Sequence, residues 1–318
     1  MKRSELLARI LIVMGVVLAV GAPIFLSMNT PLIHVHMAED GGWNPDSIKA
    51  EVGKPLHLRL TSDDVVHGFA VGQMEMEAVD VLPGKVTEVT LTFDKPGTYT
   101  FFCTRWCGIN HWRMRGTIEV SGSNPHPEPV VVPLYVKLGI DIDAPHEAPV
   151  FSKNKPSSIQ GQQFSTNIEI SRFLNTDAYR ASSPYQLFEK LEPTNLSDSE
   201  KWDVVSYFWQ SNTTSEALSN GKKLYAQNCA ACHGESGAGD GVFADDMALA
   251  GASKSMMQTP VDFTDPTRML GASPALLQGK ILRGGMGTGM PMWGSIFTEE
   301  QIWDLIAYLY SFQFEYQK

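Results

Sequence analysis

Basic residues are in short supply: 25 Lys and Arg stand against 35 Asp and Glu, for a formal net charge of −10. With no basic stripe to neutralise phosphates, this balance argues against nucleic acid as a partner, while an acidic exterior suits a basic protein partner. Cysteine is scarcer still. The 318 residues hold four, in two close pairs, Cys103 with Cys107 and Cys229 with Cys232. The two sites described below use all of them, so no thiol remains for a structural disulfide, although cysteines outside the cytoplasm usually pair. Nothing in the chain supplies a catalytic acid, a nucleophile or an open metal position. Long apolar runs are missing too, with one exception. Ile10 to Met28 carry no charge, a length close to the roughly 20 residues that cross a bilayer core as a helix.

Lys2, Arg3 and Arg9 precede that run. The positive-inside bias then predicts a membrane anchor over residues 1–30, with a cytoplasmic N-terminus and everything after it outside. A cleaved signal peptide is the competing reading. Ala19-Val20-Gly21-Ala22 has the small residues of a cleavage site, whereas Pro23 and the continuing apolar Ile24, Phe25 and Leu26 oppose it. The remaining length suffices for two or three domains, each with its own core.

The segment Cys103-Thr104-Arg105-Trp106-Cys107-Gly108-Ile109-Asn110-His111-Trp112-Arg113-Met114 places two thiols, an imidazole and a thioether within a dozen residues. Soft sulfur donors select copper, and a structural zinc site would not recruit a methionine. A further imidazole, His67, stands in a turn-like interruption, Asp63-Asp64-Val65-Val66-His67. The alternative, a Cys103–Cys107 disulfide, leaves both Met114 and the His67 turn without a role. His57 alternates with Leu56 and Leu58 and reads as an outward strand residue, as do His34 and His36. Around this segment, Leu56-x-Leu58-x-Leu60, Val89-x-Leu91-x-Phe93, Tyr99 to Phe102 and Gly116 to Val120, punctuated by Pro83-Gly84 and Pro96-Gly97, predict short strands packed as an all-β sandwich.

The spacing Cys-x3-Cys-x3-His-x2-Met with a distant upstream His resembles the binuclear CuA centre of cytochrome c oxidase subunit II, over roughly residues 43 to 120. The resemblance implies a cupredoxin domain, 31–121, with the ligands on loops at one end. It makes Cys103 and Cys107 bridging thiolates, His67 and His111 terminal ligands, and Met114 and the backbone carbonyl of Arg105 weak axial ligands.

A second signature follows, Cys229-Ala230-Ala231-Cys232-His233, the Cys-x-x-Cys-His pattern of covalent haem c attachment. Two thiols on one turn can form thioethers to the haem vinyls, and His233 can bind the iron. Downstream, Gly284-Gly285-Met286-Gly287-Thr288-Gly289-Met290-Pro291-Met292 offers thioethers for the opposite face. The Met-Pro pair in a Gly-rich loop resembles the distal loop of small bacterial cytochromes c, which singles out Met290 and leaves Met286 and Met292 as packing residues. A helix over Ser215 to Asn228 and a capping box, Thr298-Glu299-Glu300-Gln301, opening a final apolar-faced helix agree with that family. The domain is expected over 213–318, all-α and carrying one haem c.

Ser121 to Pro129 is a linker by composition, and 122–159 is assigned to it. From 160 to 212 a repeat is visible. Ser183-Pro184 followed by Ser197-Asp198-Ser199-Glu200-Lys201-Trp202-Asp203 parallels Ser273-Pro274 followed by Thr298-Glu299-Glu300-Gln301-Ile302-Trp303-Asp304. The expectation is a cytochrome c-like segment without haem, against the plainer alternative of two unrelated amphipathic helices.

An anchor, an outward copper domain and an outward cytochrome c domain together resemble subunit II of a haem–copper oxidase with a fused cytochrome c. The resemblance implies a bacterial cytoplasmic membrane protein, single-pass, with its redox domains on the periplasmic side. It would be the non-catalytic electron-entry subunit of the oxidase, with binuclear CuA and haem c as cofactors. Electrons would pass from a soluble or membrane cytochrome c or cupredoxin donor to haem c, to CuA, and to subunit I. Arg105 departs from relatives that carry a glutamate there to help hold an interface magnesium, and the single helix departs from the usual two, which is closer to the B-family oxidases. The alternatives are a CuA-type nitric oxide reductase subunit, a freestanding anchored carrier and a copper-delivery protein.

Overall fold

The computed structural model describes residues 10–15, 32–108, 110–123, 131–166, 168, 175–191, 195–244, 259–285 and 290–316. The chain divides into two compact units, residues 1–70 with 77–125 and residues 71–76 with 126–318.

The first unit is a two-sheet β arrangement. One sheet has the order β2-β1-β4-β7, from Leu32–Val35 (β1), Trp43–Asn44 (β2), Leu56–Ser62 (β4) and Thr87–Leu91 (β7). The other has the order β3-β9-β8-β5-β6, from Ser47–Glu51 (β3), His67–Val71 (β5), Val79–Val81 (β6), Gly97–Phe102 (β8) and Arg115–Ser121 (β9). Strands β1 and β3 pair in parallel with β4 and β9, and the pairs β4–β7 and β8–β9 are antiparallel. Alternation decides which face is buried. In β9, Gly116, Ile118 and Val120 point inward, and Glu119 and Ser121 outward. Gly116 is required by close approach, because a Cβ there would run into the Phe101 ring and the Asp46 carbonyl. Ile33, Val35, Leu58, Leu60, Phe69, Phe93, Phe101 and Ile118 fill the interior.

The second unit is helical: Leu134–Lys137 (α1), Ser158–Ser165 (α2), Thr176–Ala181 (α3), Pro184–Lys190 (α4), Asp198–Ser211 (α5), Ser215–Asn228 (α6), Ala230–His233 (α7), Pro266–Met269 (α8), Pro274–Arg283 (α9) and Glu299–Tyr310 (α10). Capping boxes open α4, α5 and α10: Ser183 with Gln186, Ser197 with Glu200, and Thr298 with Gln301. Each satisfies two N–H groups that the first turn leaves without an intrahelical acceptor. The described part of the expected linker is not a bare spacer. Gln278 Oε1 accepts from the Leu134 and Tyr135 amides, the Ala148 amide donates to the Thr267 carbonyl, and Arg283 pairs with Asp143 at 2.6 Å.

The β unit followed by a helical unit is the expected order. Of the expected membrane anchor, only residues 10–15 are described; they are helical with exposed side chains, and the rest of the run lies outside the described residues. Among the described residues, no helix is long and apolar enough to cross a membrane.

Candidate metal and haem sites

Six donor atoms from two chain segments meet at one end of the β unit. Cys103 leaves β8, and Cys107, His111 and Met114 follow in the loop to β9. His67 opens β5, where an antiparallel pairing with Val81 holds its backbone. Cys103 Sγ lies 3.9 Å from Cys107 Sγ, 3.8 Å from His67 Nδ1 and 3.2 Å from the Arg105 carbonyl oxygen. Cys107 Sγ lies 3.4 Å from His111 Nδ1 and 3.3 Å from Met114 Sδ. Both thiols are free, so the disulfide alternative is not what the structure holds. His67, Cys103 and Cys107 form a cluster able to hold a metal ion, and His67, Met114, Cys103 and His111 are all buried.

The electrostatics follow from that crowding. A hydrogen bond from Cys107 stabilises the Cys103 thiolate and pulls that thiol well below the usual range, while the same thiolate pushes Cys107 upward. Burial would lower the His67 pKa, but hydrogen bonds to Cys103 and Asp64 outweigh it and raise the value. Asp64 Oδ1 accepts from His67 Nε2 at 2.7 Å, which turns the Nδ1 edge of the ring toward Cys103. The Asp64 carboxylate also accepts from the amides of Met37, at 2.6 Å, and Val65. These bonds bring its pKa down to about 2, against the opposing effect of burial. Soft sulfurs, two imidazoles with their metal-binding nitrogens turned inward and a carbonyl suit copper.

Sequence reasoning missed the groups that hold these ligands. Asp64 stands three residues before His67, so an acid beside a ligand imidazole was a readable signal. Asp64→Asn is expected to weaken copper retention roughly 10- to 100-fold, as loss of a group orienting a metal ligand does; chelator competition on the copper-loaded protein measures it. Trp43 had no signal. It is buried, packs edge-on to Phe69 and Phe101 at 5.8 and 5.4 Å, and donates its indole N–H to the Met114 carbonyl at 3.0 Å. Trp43→Phe is expected to destabilise the unit by about 1 kcal/mol, the net worth of one buried hydrogen bond, seen as a lower denaturant midpoint. Asp80 grips Arg105 through two hydrogen bonds of 2.8 Å. Both side chains are about half exposed, so Asp80→Asn is expected to cost under about 1 kcal/mol.

In the helical unit, Cys229 ends α6, and Cys232 and His233 lie on the single turn of α7. Burial pushes the Cys229 thiol up to about 12 and the Cys232 thiol up to about 11. Burial also lowers His233, partly offset by a hydrogen bond to the Val261 carbonyl. That bond, 3.0 Å from Nδ1, places the ring proton on Nδ1 because a carbonyl only accepts. Nε2 is left with its lone pair, which is the state an iron ligand needs. Phe263 stacks on the imidazole at 4.5 Å, and Tyr225 O–H donates to the Gly234 carbonyl at 2.7 Å. Met290 stands at the end of the downstream loop, where its carbonyl accepts from the Gly285 amide. Met292 is 62% exposed, and Met286 lies outside the described residues. Two thiols at the two ends of one turn, beside an imidazole of fixed tautomer, suit a covalently held haem.

Comparison with known proteins gives matches to each unit separately. Residues 45–121 match the model for cytochrome c oxidase subunit II, periplasmic domain, and residues 218–313 match that for cytochrome c. A cytochrome c oxidase subunit 2 of Thermus thermophilus is 42% identical over 79 residues, 25% of this chain and 58% of that protein. A second cytochrome c oxidase subunit 2 from the same species is 42% identical over 79 residues, 46% of its length. The chain thus spans about half the length of the curated relatives it matches. Among solved structures, the periplasmic domain of subunit II of cytochrome oxidase of Bradyrhizobium japonicum is 28% identical, with a TM-score of 0.23, covering 24% of this chain and 54% of that one. One polypeptide therefore joins a domain of the cytochrome c oxidase subunit II periplasmic type, which implies CuA copper, to a domain of the cytochrome c type, which implies haem c.

Proposed function

We propose that this chain is the electron-entry subunit of a membrane haem–copper oxidase. The observation that carries the reading is the pairing in one polypeptide of a six-donor copper cradle with a Cys-x-x-Cys-His turn whose imidazole presents Nε2. When bound, the copper pair and the haem supply one-electron redox chemistry, taking electrons from an external cytochrome c or cupredoxin and handing them to subunit I for oxygen reduction.

The protein's own residues hold the cofactors. Cys103, Cys107, His67 and His111 would hold the two coppers, with the Met114 thioether and the Arg105 carbonyl as weaker donors beside them. Asp64 orients His67, and Trp43 pins the Met114 carbonyl. A preset, buried cradle lets charge arrive without rearranging its ligands, which suits a relay and not a catalyst. Cys229, Cys232 and His233 would hold the haem, with Met290 as the candidate for a second iron ligand. The charge of −10 supports a basic donor. Residues 1–30 would anchor the chain, with both redox domains on the periplasmic side of a bacterial membrane.

Purification of the native membrane complex tests the reading. The expected result is co-isolation with a haem–copper subunit I and turnover of oxygen. Reduction of NO by the complex would assign the chain to a nitric oxide reductase, and isolation of the chain alone, holding its copper against a chelator, would make it a freestanding carrier.

A further inference from the structure

We propose that residues 158–211 are a second copy of the cytochrome fold that has lost both segments able to grip a haem, and that this copy braces α10, a helix of the haem domain.

Four helices correspond in order, α2-α3-α4-α5 to α6-α8-α9-α10, and their details match. In both sets the first and last helices cross at a glycine. A Cβ on Gly161 would collide with the Asp203 carbonyl, and a Cβ on Gly221 with the Asp304 carbonyl. Those carbonyls occupy equivalent places in Trp202-Asp203-Val204-Val205 and Trp303-Asp304-Leu305-Ile306. Asn175 caps α3 through the Ala178 amide, and Asp265 caps α8 through the Thr267 amide. The interval to the next cap is the same in both sets, Asn175 to Ser183 and Asp265 to Ser273. Each of those serines precedes a proline at the helix start and accepts an amide hydrogen bond of 3.1 Å, from Gln186 and from Leu276. Two capping boxes of the same design open α5 and α10. Unrelated amphipathic helices would share a cap motif by chance; a shared glycine crossing together with matched cap intervals requires a common fold.

The differences fall on the two segments that matter for haem. Between the first and second helices the copy has only residues 166–175, where the haem domain has 229–265 with both cysteines and His233. Between the third and fourth it has 191–197, where the haem domain has 284–298 with Met290. The copy's interior is instead packed with rings. Phe188 stacks on Trp202 at 4.6 Å, Tyr179 meets Trp209 edge-on at 5.5 Å, and Trp202, Phe208 and Trp209 are at most 2% exposed.

The same elements, together with Lys155 and Pro156 just ahead of them, grip α10 and the chain just after it. Trp209 packs edge-on to Tyr310 at 5.6 Å, and the Arg180 guanidinium lies 4.0 Å over the Trp303 ring. Lys155 Nζ donates to the Ser311 carbonyl, and the Ser158 and Glu315 amides donate to the Glu315 and Pro156 carbonyls. On its other side α10 meets Gly221 and Tyr225 of α6, the helix that leads into Cys229. A shift of α10 would therefore open the haem domain to water, and solvent exposure lowers or raises a haem potential together with its ligand field.

The test uses the full, haem-loaded chain. Intact mass is expected to show one covalent haem per chain. Gly161→Ala and Gly221→Ala are each expected to lower the unfolding temperature by several degrees, because a Cβ at either position runs into the carbonyl of the crossing helix. Trp209→Ala is expected to keep the haem but shift its reduction potential, and Trp209→Phe, which retains a ring against Tyr310, to restore most of the parent value. A second haem per chain, Gly161→Ala unfolding at the parent temperature, or a Trp209→Ala potential equal to the parent's would each overturn the proposal.

Discussion

Cys103→Ser is expected to abolish the mixed-valence dicopper signal and to leave one covalent haem per chain. The thiol stands 3.9 Å from Cys107 Sγ, 3.8 Å from His67 Nδ1 and 3.2 Å from the Arg105 carbonyl. Cys107 makes the matching contacts to His111 and Met114, so loss of Cys103 removes one of the two soft donors at the centre of the cradle, which a hard hydroxyl does not replace. The haem ligands lie in the other compact unit, built on its own core. Electron paramagnetic resonance of the copper-loaded variant, with a haem assay on the same sample, measures both outcomes. Retention of the dicopper signal would show that Cys103 is not needed to hold the copper pair.

Met290→Ala is expected to lower the haem potential by a sizeable fraction of the roughly 0.8 V span that axial ligands command, with copper content unchanged. A thioether opposite an imidazole favours the reduced iron, and the imidazole here is preset by the Val261 carbonyl. Redox titration followed by copper analysis measures the effect. Loss of copper with an unaltered haem spectrum would overturn the assignment of Met290.

Much of the copper site was legible because five of its six donors sit in one short loop, 103–114, with His67 alone coming from another segment. Strand periodicity from Leu56 to Leu60 separated His57 from His67. His57 lies on the outer face against Thr90, and His67 is fully buried. Asp64, three residues before His67, was readable as a candidate partner of the imidazole, and the fold supplies the hydrogen bond that makes it one. Trp43 and Asp80 could not be read at all. Each reaches its partner across a long interval of chain, and pairings of that kind arise only when strands stack. The helical segment before the haem domain was half legible. Its repeated caps stood in the sequence, whereas the glycine crossings at Asp203 and Asp304 are contacts between helices far apart along the chain.

By itself the sequence determined the chemistry: the number and softness of the sulfurs, the spacing of the thiols and imidazoles, and the order of a β domain before a helical one. These are properties of neighbouring residues, and local covalent spacing conveys them. Only the tertiary structure decided which imidazole nitrogen faces the metal, that the thiols stay unpaired, and what presses on α10. Those facts depend on hydrogen bonds and packing between segments that the chain itself keeps apart.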